Sequence, residues 1–339
     1  LLFTRTLIFM QVGKYKMSMI QDNKFPQPYE KCFLEVGDGH EIYVEQLGNP
    51  KGIPFIFLHG GPGSGCQNSH RSLFNLETCR VILFDQRGAG KSLPKRSLYK
   101  NTTQMLMKDM EYIRNKFNIK KWSIVGGSWG STLGLAYSQN YSDSVEGLIL
   151  RSVFLGTEDN ITWAFEKAAK TFRPELWKKW IGLLDVKEQK TPILSYGKRL
   201  ESSDKIISNS AALAWSLYES ILSQIDSDII FPNKFDDKLF MNTSSDPNTP
   251  YFEWHYIKNN FFLEQDELIK NAYKLNGIPG SIVQGRYDLL CPVINAYEIA
   301  ANWKNSNLII VDEGAHSANS DPMRSELIKA INDLTNKLI

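Results

Sequence analysis

Trp122-Ser123-Ile124-Val125-Gly126-Gly127-Ser128-Trp129-Gly130-Ser131 is the stretch on which the reading of this chain turns. Its first four residues suit a strand, and the run from Ser131 to Tyr137 can continue as a helix. Between them, Gly126 to Gly130 fits Gly-x-Ser-x-Gly, a sharp strand-to-helix turn that lifts a serine hydroxyl above the edge of a sheet. The spacing alone is common; its position between a strand and a helix gives it weight.

Working outward, the same alternation recurs on both sides. Upstream, Ile42 and Val44 alternate with polar neighbours, while Pro54 to Leu58 and Val81 to Phe84 are apolar without alternation, as in strands buried on both faces. Thr103 is expected to cap a helix carrying Leu106, Met110, Ile113 and Phe117 on one face. Downstream come the strand Leu148-Ile149-Leu150, then Ser281-Ile282-Val283, a helix from Pro292 to Trp303, the strand Leu308 to Val311 and a closing helix after Asp321. Alternating strands and helices predict an α/β class fold with a doubly wound, mostly parallel sheet. The middle differs. Its aromatic residues are spread at helical spacing with few β-branched runs, so the expected organisation is an N-terminal extension over 1–24, a core of 25–155 and 276–339, and a helical cap over 156–275.

Composition narrows the partners. The chain has 339 residues, 42% apolar and 22% charged, and 39 basic against 37 acidic residues leave a net charge of +2. With no long run of either sign, it offers no docking stripe for nucleic acid or an anionic membrane. No apolar segment approaches the roughly 20 residues that span a bilayer, and Leu7 to Met10 is too short for a signal peptide. Cys32, Cys66, Cys79 and Cys291 lack metal-ligand spacing and read as free thiols in a reducing compartment. A cytoplasmic protein with no bound metal is expected; homo-oligomerisation is left open.

A serine nucleophile needs a base, and the chain has five histidines. In sheets of this type the order is serine, acid, histidine, which removes His40, His59 and His70. His316 follows the strand ending at Val311, whereas His255 sits among aromatics and reads as structural. The acid is expected after the preceding strand, where Gly285-Arg286-Tyr287-Asp288 offers Asp288; Asp312 is the competitor, too near His316 in sequence. His59-Gly60-Gly61-Pro62-Gly63 follows another strand, so the amides of Gly61 and Trp129 are candidates for an oxyanion hole. Gly90-Lys91-Ser92 is not a phosphate loop, because Asp85 stands where that loop needs glycine; Asp85-Gln86-Arg87-Gly88 reads as a salt-bridged turn.

Together, His59 to Gly63, Asp85 to Ser92, Gly127 to Ser131 and Gly285 to Asp288 resemble the prolyl aminopeptidases (proline iminopeptidases) of the α/β-hydrolase fold, from about Phe33 to the C-terminus. The resemblance implies a hydrolase core with a helical cap, hydrolysis without a cofactor, and release of an N-terminal proline from short peptides. It places Glu219, in Ala214-Trp215-Ser216-Leu217-Tyr218-Glu219, against the free amino group of the substrate, with Phe154 and the cap tryptophan Trp163 lining the pocket. It also implies two departures: Lys258 where the family carries a second cap glutamate, and Ala164 in place of an aromatic. Two other readings stay open, an esterase or amidase acting on uncharged acyl groups and a non-catalytic binding protein on a hydrolase scaffold.

Overall fold

The computed structural model describes residues 24–235, 248–319 and 321–339. Eight strands form one sheet in the order β1-β2-β4-β3-β5-β6-β7-β8. They are β1 (Glu30–Glu35), β2 (Glu41–Gly48), β3 (Ile53–Leu58), β4 (Cys79–Phe84), β5 (Trp122–Ser128), β6 (Val145–Val153), β7 (Gly280–Gly285) and β8 (Ser306–Val311). The first two pair antiparallel, and β4, β3, β5, β6, β7 and β8 run parallel. All parallel strands therefore end at one edge, where an open α/β sheet places its ligands.

Side chains alternate across the sheet, and helices cover both faces. Ile56, Leu58, Ile82, Phe84 and Ile124 pack on one side with Leu106, Met110 and Ile113 of α1 (Thr103–Lys116), Leu133 and Ala136 of α2 (Trp129–Asn140) and Ile299 of a later helix. Phe55, Phe57, Val81, Leu83 and Val125 face the opposite way, onto Leu327, Ile331 and Leu334 of the C-terminal helix. This double cover is why these runs are apolar at every position. The cap of α1 is Thr102, whose hydroxyl accepts from the Met105 amide at 3.3 Å. Thr103, expected there, instead donates to the Phe261 carbonyl at 2.5 Å.

Between β6 and β7 the chain forms a helical layer. It comprises α3 (Glu158–Thr162), a π-turn (Trp163–Lys167), α4 (Ala168–Phe172), α5 (Pro174–Gly182), α6 (Pro192–Leu200), α7 (Lys205–Leu222), α8 (Thr249–Ile257) and α9 (Glu267–Lys270). Its core is aromatic: Trp180 stacks on Tyr196 at 4.5 Å and Tyr218 at 4.4 Å, and Phe165 packs on Trp215 at 4.5 Å. After β7 and β8 come α10 (Val293–Asn302) and α11 (Met323–Leu338). Among the described residues no helix is long and apolar enough to cross a membrane, and all four cysteines are free.

The turn after β4 fastens this layer to the sheet. Arg87 makes a two-pronged pair with Asp109 of α1 at 2.7 and 2.8 Å, both side chains buried. The Asp85 carboxylate accepts from the amides of Cys66 and Lys91 at 2.6 and 2.7 Å. Asn101 donates to the Arg87 carbonyl at 2.8 Å and accepts from the Tyr256 hydroxyl at 2.8 Å, while His255 Nε2 meets the Asn101 carbonyl at 2.9 Å. Removing one member of a buried ion pair strands the other. Asp109→Ala is therefore expected to lower unfolding free energy by about 3–5 kcal/mol, measured by urea denaturation; a loss under about 1 kcal/mol would mean the pair is not integral to the turn.

Candidate active site

Ser128 ends β5 with φ 57° and ψ −127°, a left-handed conformation that an L-residue holds only when its surroundings enforce it. Close packing enforces it here. A β-carbon at Gly126 would lie 2.2 Å from the Gly130 carbonyl oxygen, and one at Gly130 would lie 2.3 Å from that of Leu58. The turn is thus pressed against β3, and the loop after β3 lies beside Ser128. In that loop Gly61 has φ +108°, and a β-carbon there would meet the Gly63 and Ser64 amides at 2.8 and 2.9 Å. Trp129 starts α2, so its amide is among those a helix leaves without an internal partner.

The loop and the turn are cross-braced through side chains of the quoted motifs themselves. The Trp129 indole donates to Gln86 Oε1 at 2.8 Å, and Gln86 Nε2 donates to the His59 carbonyl at 3.0 Å. His59 Nε2 accepts from the Gln86 amide at 3.0 Å while Nδ1 donates to the Gly60 carbonyl at 2.9 Å. These partners fix the tautomer, and burial lowers the imidazole pKa and keeps it neutral.

Asp288 and His316 follow β7 and β8. His316 Nδ1 lies 3.0 Å from both Asp288 carboxylate oxygens, and Asp288 Oδ1 also accepts from the amides of Leu290 and Cys291 at 3.0 and 2.8 Å. Burial alone would raise the Asp288 pKa, but the adjacent His316 and the Cys291 amide hold it below the usual carboxylate range. Gln284, fully buried, donates to the Cys291 carbonyl at 3.0 Å and accepts from the Val153 amide at 2.9 Å, so the acid loop is tied to the end of β6. Asp312 is exposed and pairs with Arg286 at 2.6 Å, away from His316. Ser128 lies within hydrogen-bonding reach of the Cys291 thiol, whose pKa burial and then Asp288 push up. No hydrogen bond joins Ser128 to the His316 ring; in unliganded sites such bonds are often loose and tighten with substrate.

A cavity of about 300 Å³ holds Ser128, His316, Gly61 and Phe154, with Glu219 of α7 and Glu253 of α8 in its wall. The two carboxyls are within hydrogen-bonding reach of each other. Burial raises both, and the charge of Glu253 raises Glu219 further. Glu253 Oε2 is buried without a partner among the described residues. An unpaired buried acceptor beside a second carboxylate is a seat for a cation.

Two expectations about this pocket need correction. Lys258 does not face it: Thr249, Glu253 and Ile257 form the i, i+4, i+8 stripe of α8 that lines the cavity, and Lys258 falls one residue off it, pairing with Glu201 at the surface. Trp163 does not line it either. Ile161, Ala164 and Phe165 occupy one helical face toward the cavity, and Trp163, on the other, lines a separate groove of about 900 Å³. The signal for Glu253 was there in the sequence, as its i, i+4 relation to Thr249 and Ile257.

Comparison with known proteins shows the family. The family profile described as alpha/beta hydrolase fold matches residues 53–322. A probable proline iminopeptidase of Leptolyngbya boryana is 40% identical over 312 residues, covering 92% of this chain and 95% of the relative. The proline iminopeptidase of Arabidopsis thaliana is 39% identical, covering 90% and 79%, and that of Neisseria gonorrhoeae 36% identical, covering 92% and 98%. Among solved structures, an alpha/beta fold family hydrolase from Bacillus anthracis str. Sterne superposes with TM-score 0.61 at 18% identity over 92% of this chain and 100% of its own. A putative lipase from Acinetobacter baumannii AYE gives 0.62 at 18%, over 91% and 93%. These two show the fold alone.

The packing at the turn gives a paired test. Gly126→Ala is expected to cost at least ~2 kcal/mol in urea unfolding and to abolish labelling of Ser128 by a fluorophosphonate. Gly134→Ala on α2, where the nearest atom is 3.5 Å away, should hold stability or raise it by up to ~1 kcal/mol and leave labelling intact. Equal behaviour of the two variants would remove the packing explanation for the strained serine.

Proposed function

The chain belongs to the proline iminopeptidase family of α/β hydrolases, and from that premise we propose that it is a prolyl aminopeptidase whose nucleophile is Ser128. His316 takes the Ser128 proton as the hydroxyl attacks the carbonyl of an N-terminal proline, and Asp288 holds the imidazole in the required tautomer and stabilises its cation. The amides of Gly61 and Trp129 receive the oxyanion. His316 then gives the proton to the leaving nitrogen, and water admitted after departure of the shortened peptide releases proline from Ser128. No cofactor takes part in these steps.

The observation that carries the substrate assignment is the Glu219–Glu253 pair on the wall of the cavity that holds Ser128. The cationic imino group of an N-terminal proline supplies the donors and the charge that the pair lacks. A carboxylate pair at fixed distance from the nucleophile lets only the first peptide carbonyl reach it, which makes the enzyme an exopeptidase. Phe154 and Phe261, edge to face at 5.1 Å, with Ala164 and Phe165, offer an apolar surface for the pyrrolidine ring. The helical layer over 156–275 acts as the cap that carries the amine anchor. An uncharged acyl group would leave two buried carboxyls unsatisfied, and with Lys258 at the surface nothing favours the esterase reading.

Purified protein is expected to hydrolyse prolyl 2-naphthylamide, and Ser128→Ala to be slower by ~10⁴-fold or more in kcat; equal rates would overturn the mechanism. Glu219→Gln or Glu253→Gln should reduce kcat/KM for prolyl substrates well over tenfold, since breaking a desolvated charge pair costs about 2–5 kcal/mol. The pair also sets a pH dependence. Burial raises Glu253 to about 7, so protonation as pH falls through that value neutralises the anchor. KM is expected to rise as pH is lowered from 8 to 6, and each Gln variant to flatten that rise. A KM independent of pH in the parent enzyme would mean the pair does not meet the amine.

A further inference from the structure

An aminopeptidase must also seat what it releases. With the imino group held by Glu219 and Glu253 and the acyl carbon at Ser128, His316 faces the leaving nitrogen, so whatever that nitrogen carries lies on the side of Ser128 away from the glutamates. A second cavity of about 220 Å³ adjoins the first at the histidine, sharing Gly60, Ser64, Arg151, Ser223 and His316 with it. Its floor is the turn itself, Gly126 and Gly127, and its far wall is Asn319 with Arg324 of α11.

The two cavities have opposite electrostatic character. Arg151 lines both; the first adds the carboxyls of Glu219 and Glu253, whereas the second has no Asp or Glu in its lining and adds Arg324. Arg151 rests on Gly127 so closely that a β-carbon there would lie 2.4 Å from Nη2. Its Nη1 donates to Ser152 Oγ at 3.0 Å and to the His316 carbonyl. Arg324 uses Nη2 on the Ser69 carbonyl and Ser72 Oγ, both at 3.2 Å, leaving Nε and Nη1 without an acceptor among the described residues. Neither guanidinium has an ion-pair partner within 4.0 Å among those residues. His70 adds no charge, because burial lowers its pKa to about 3. A guanidinium fork with free donors in a partly desolvated crevice is a carboxylate site.

We infer that this crevice seats the residue after proline and that Arg324 binds its C-terminal carboxylate, so that the preferred substrates are short, zwitterionic prolyl peptides, dipeptides above all; the inference rests on the aminopeptidase reading above. The size agrees. Pockets for drug-sized ligands hold roughly 300–1,000 Å³, and this one, being smaller, takes one residue and not an extended chain. The larger groove beside Trp163 is not the route. It contains neither Ser128 nor His316, and its four acids, Asp159, Asp266, Asp288 and Glu298, outnumber Lys167, Arg173 and Arg286.

The test compares Pro-Gly with Pro-Gly-amide, which differ only in the terminal charge. A charged hydrogen-bond partner contributes enough for kcat/KM of the parent enzyme to favour the free acid about tenfold or more. In Arg324→Gln that ratio should fall toward one, and in Arg324→Lys it should be partly retained. Raising salt to 1 M should shrink the parent's ratio. Hydrolysis of prolyl 2-naphthylamide by each variant reports that the fold and the triad survive substitution. A parent enzyme that cleaves the naphthylamide but treats acid and amide alike overturns the inference and leaves the aminopeptidase reading standing, as does Arg324→Gln lowering both dipeptide rates by one factor. A parent that cleaves no prolyl substrate overturns both.

Discussion

The left-handed backbone of Ser128 is the constraint on which the rest of the site depends. At φ 57° and ψ −127° the residue costs on the order of 1–3 kcal/mol, which must be offset by what surrounds it. The offset comes from contact so close that only hydrogen fits, Gly126 against the Gly130 carbonyl and Gly130 against the Leu58 carbonyl. Those contacts also bring β3 under the turn, so the loop from His59 to Gly63 arrives beside the serine as a consequence of the packing that strains it. Gln86 completes the arrangement by bonding the Trp129 indole with one end of its amide and the His59 carbonyl with the other. The proposed nucleophile and oxyanion donors are in this sense one rigid object.

Charge is arranged around that object with little screening. Asp288 is held ionised by two amides on Oδ1 and by His316 at both oxygens, Arg151 packs against Gly127, and the two glutamates line the same cavity. Buried groups of this kind cost stability unless paired, and here several are left with unused capacity: an oxygen of Glu253 and the free edge of Arg324. On the proposed reading, a peptide with a cation at one end and an anion at the other completes both, so that the site would be better satisfied with substrate than without, which is the electrostatic form of preorganisation.

Much of this was legible in the sequence because it is written in local periodicity. Strands covered on both faces read as continuous apolar runs, and the chemistry-bearing residues follow β3, β5, β7 and β8 in the order that such a sheet demands. What escaped was set by facing rather than by order. β1 carries Glu30, Lys31 and Glu35 and has one wet face as an edge strand, so it lacks the apolar signature of its neighbours. Glu253 of α8 and Lys258, which caps it, are five apart, and only the direction of the helix axis decides which meets the cavity. Trp163 misled similarly, since size and type suggest a pocket wall but the inward face is that of Ile161, Ala164 and Phe165. Gln86 lies in a turn that the sequence marks, and Gln284 in a strand, but the role of each side chain is visible only from what it joins.

The helical layer is fastened to the catalytic loops and does not merely lie over them. Ser317, next to His316, donates its amide to the carbonyl of Ser223, which caps the same helix α7 that carries Glu219 four residues earlier. On another flank, Thr103 of α1 holds the Phe261 carbonyl in a turn where Asn260, Phe261 and Phe262 all have positive φ, and this projects the Phe261 ring between Phe154 and Trp129. The proposed amine anchor is thus bonded to the histidine loop through Ser317 and Ser223, and the apolar wall to α1 through the Thr103 hydroxyl. A displacement of α7 large enough to misplace the carboxylates would pull on the loop that orients His316. On the proposed reading, selectivity and reactivity are carried by different side chains, but the same few bonds keep both in register, and loosening one should not leave the other untouched.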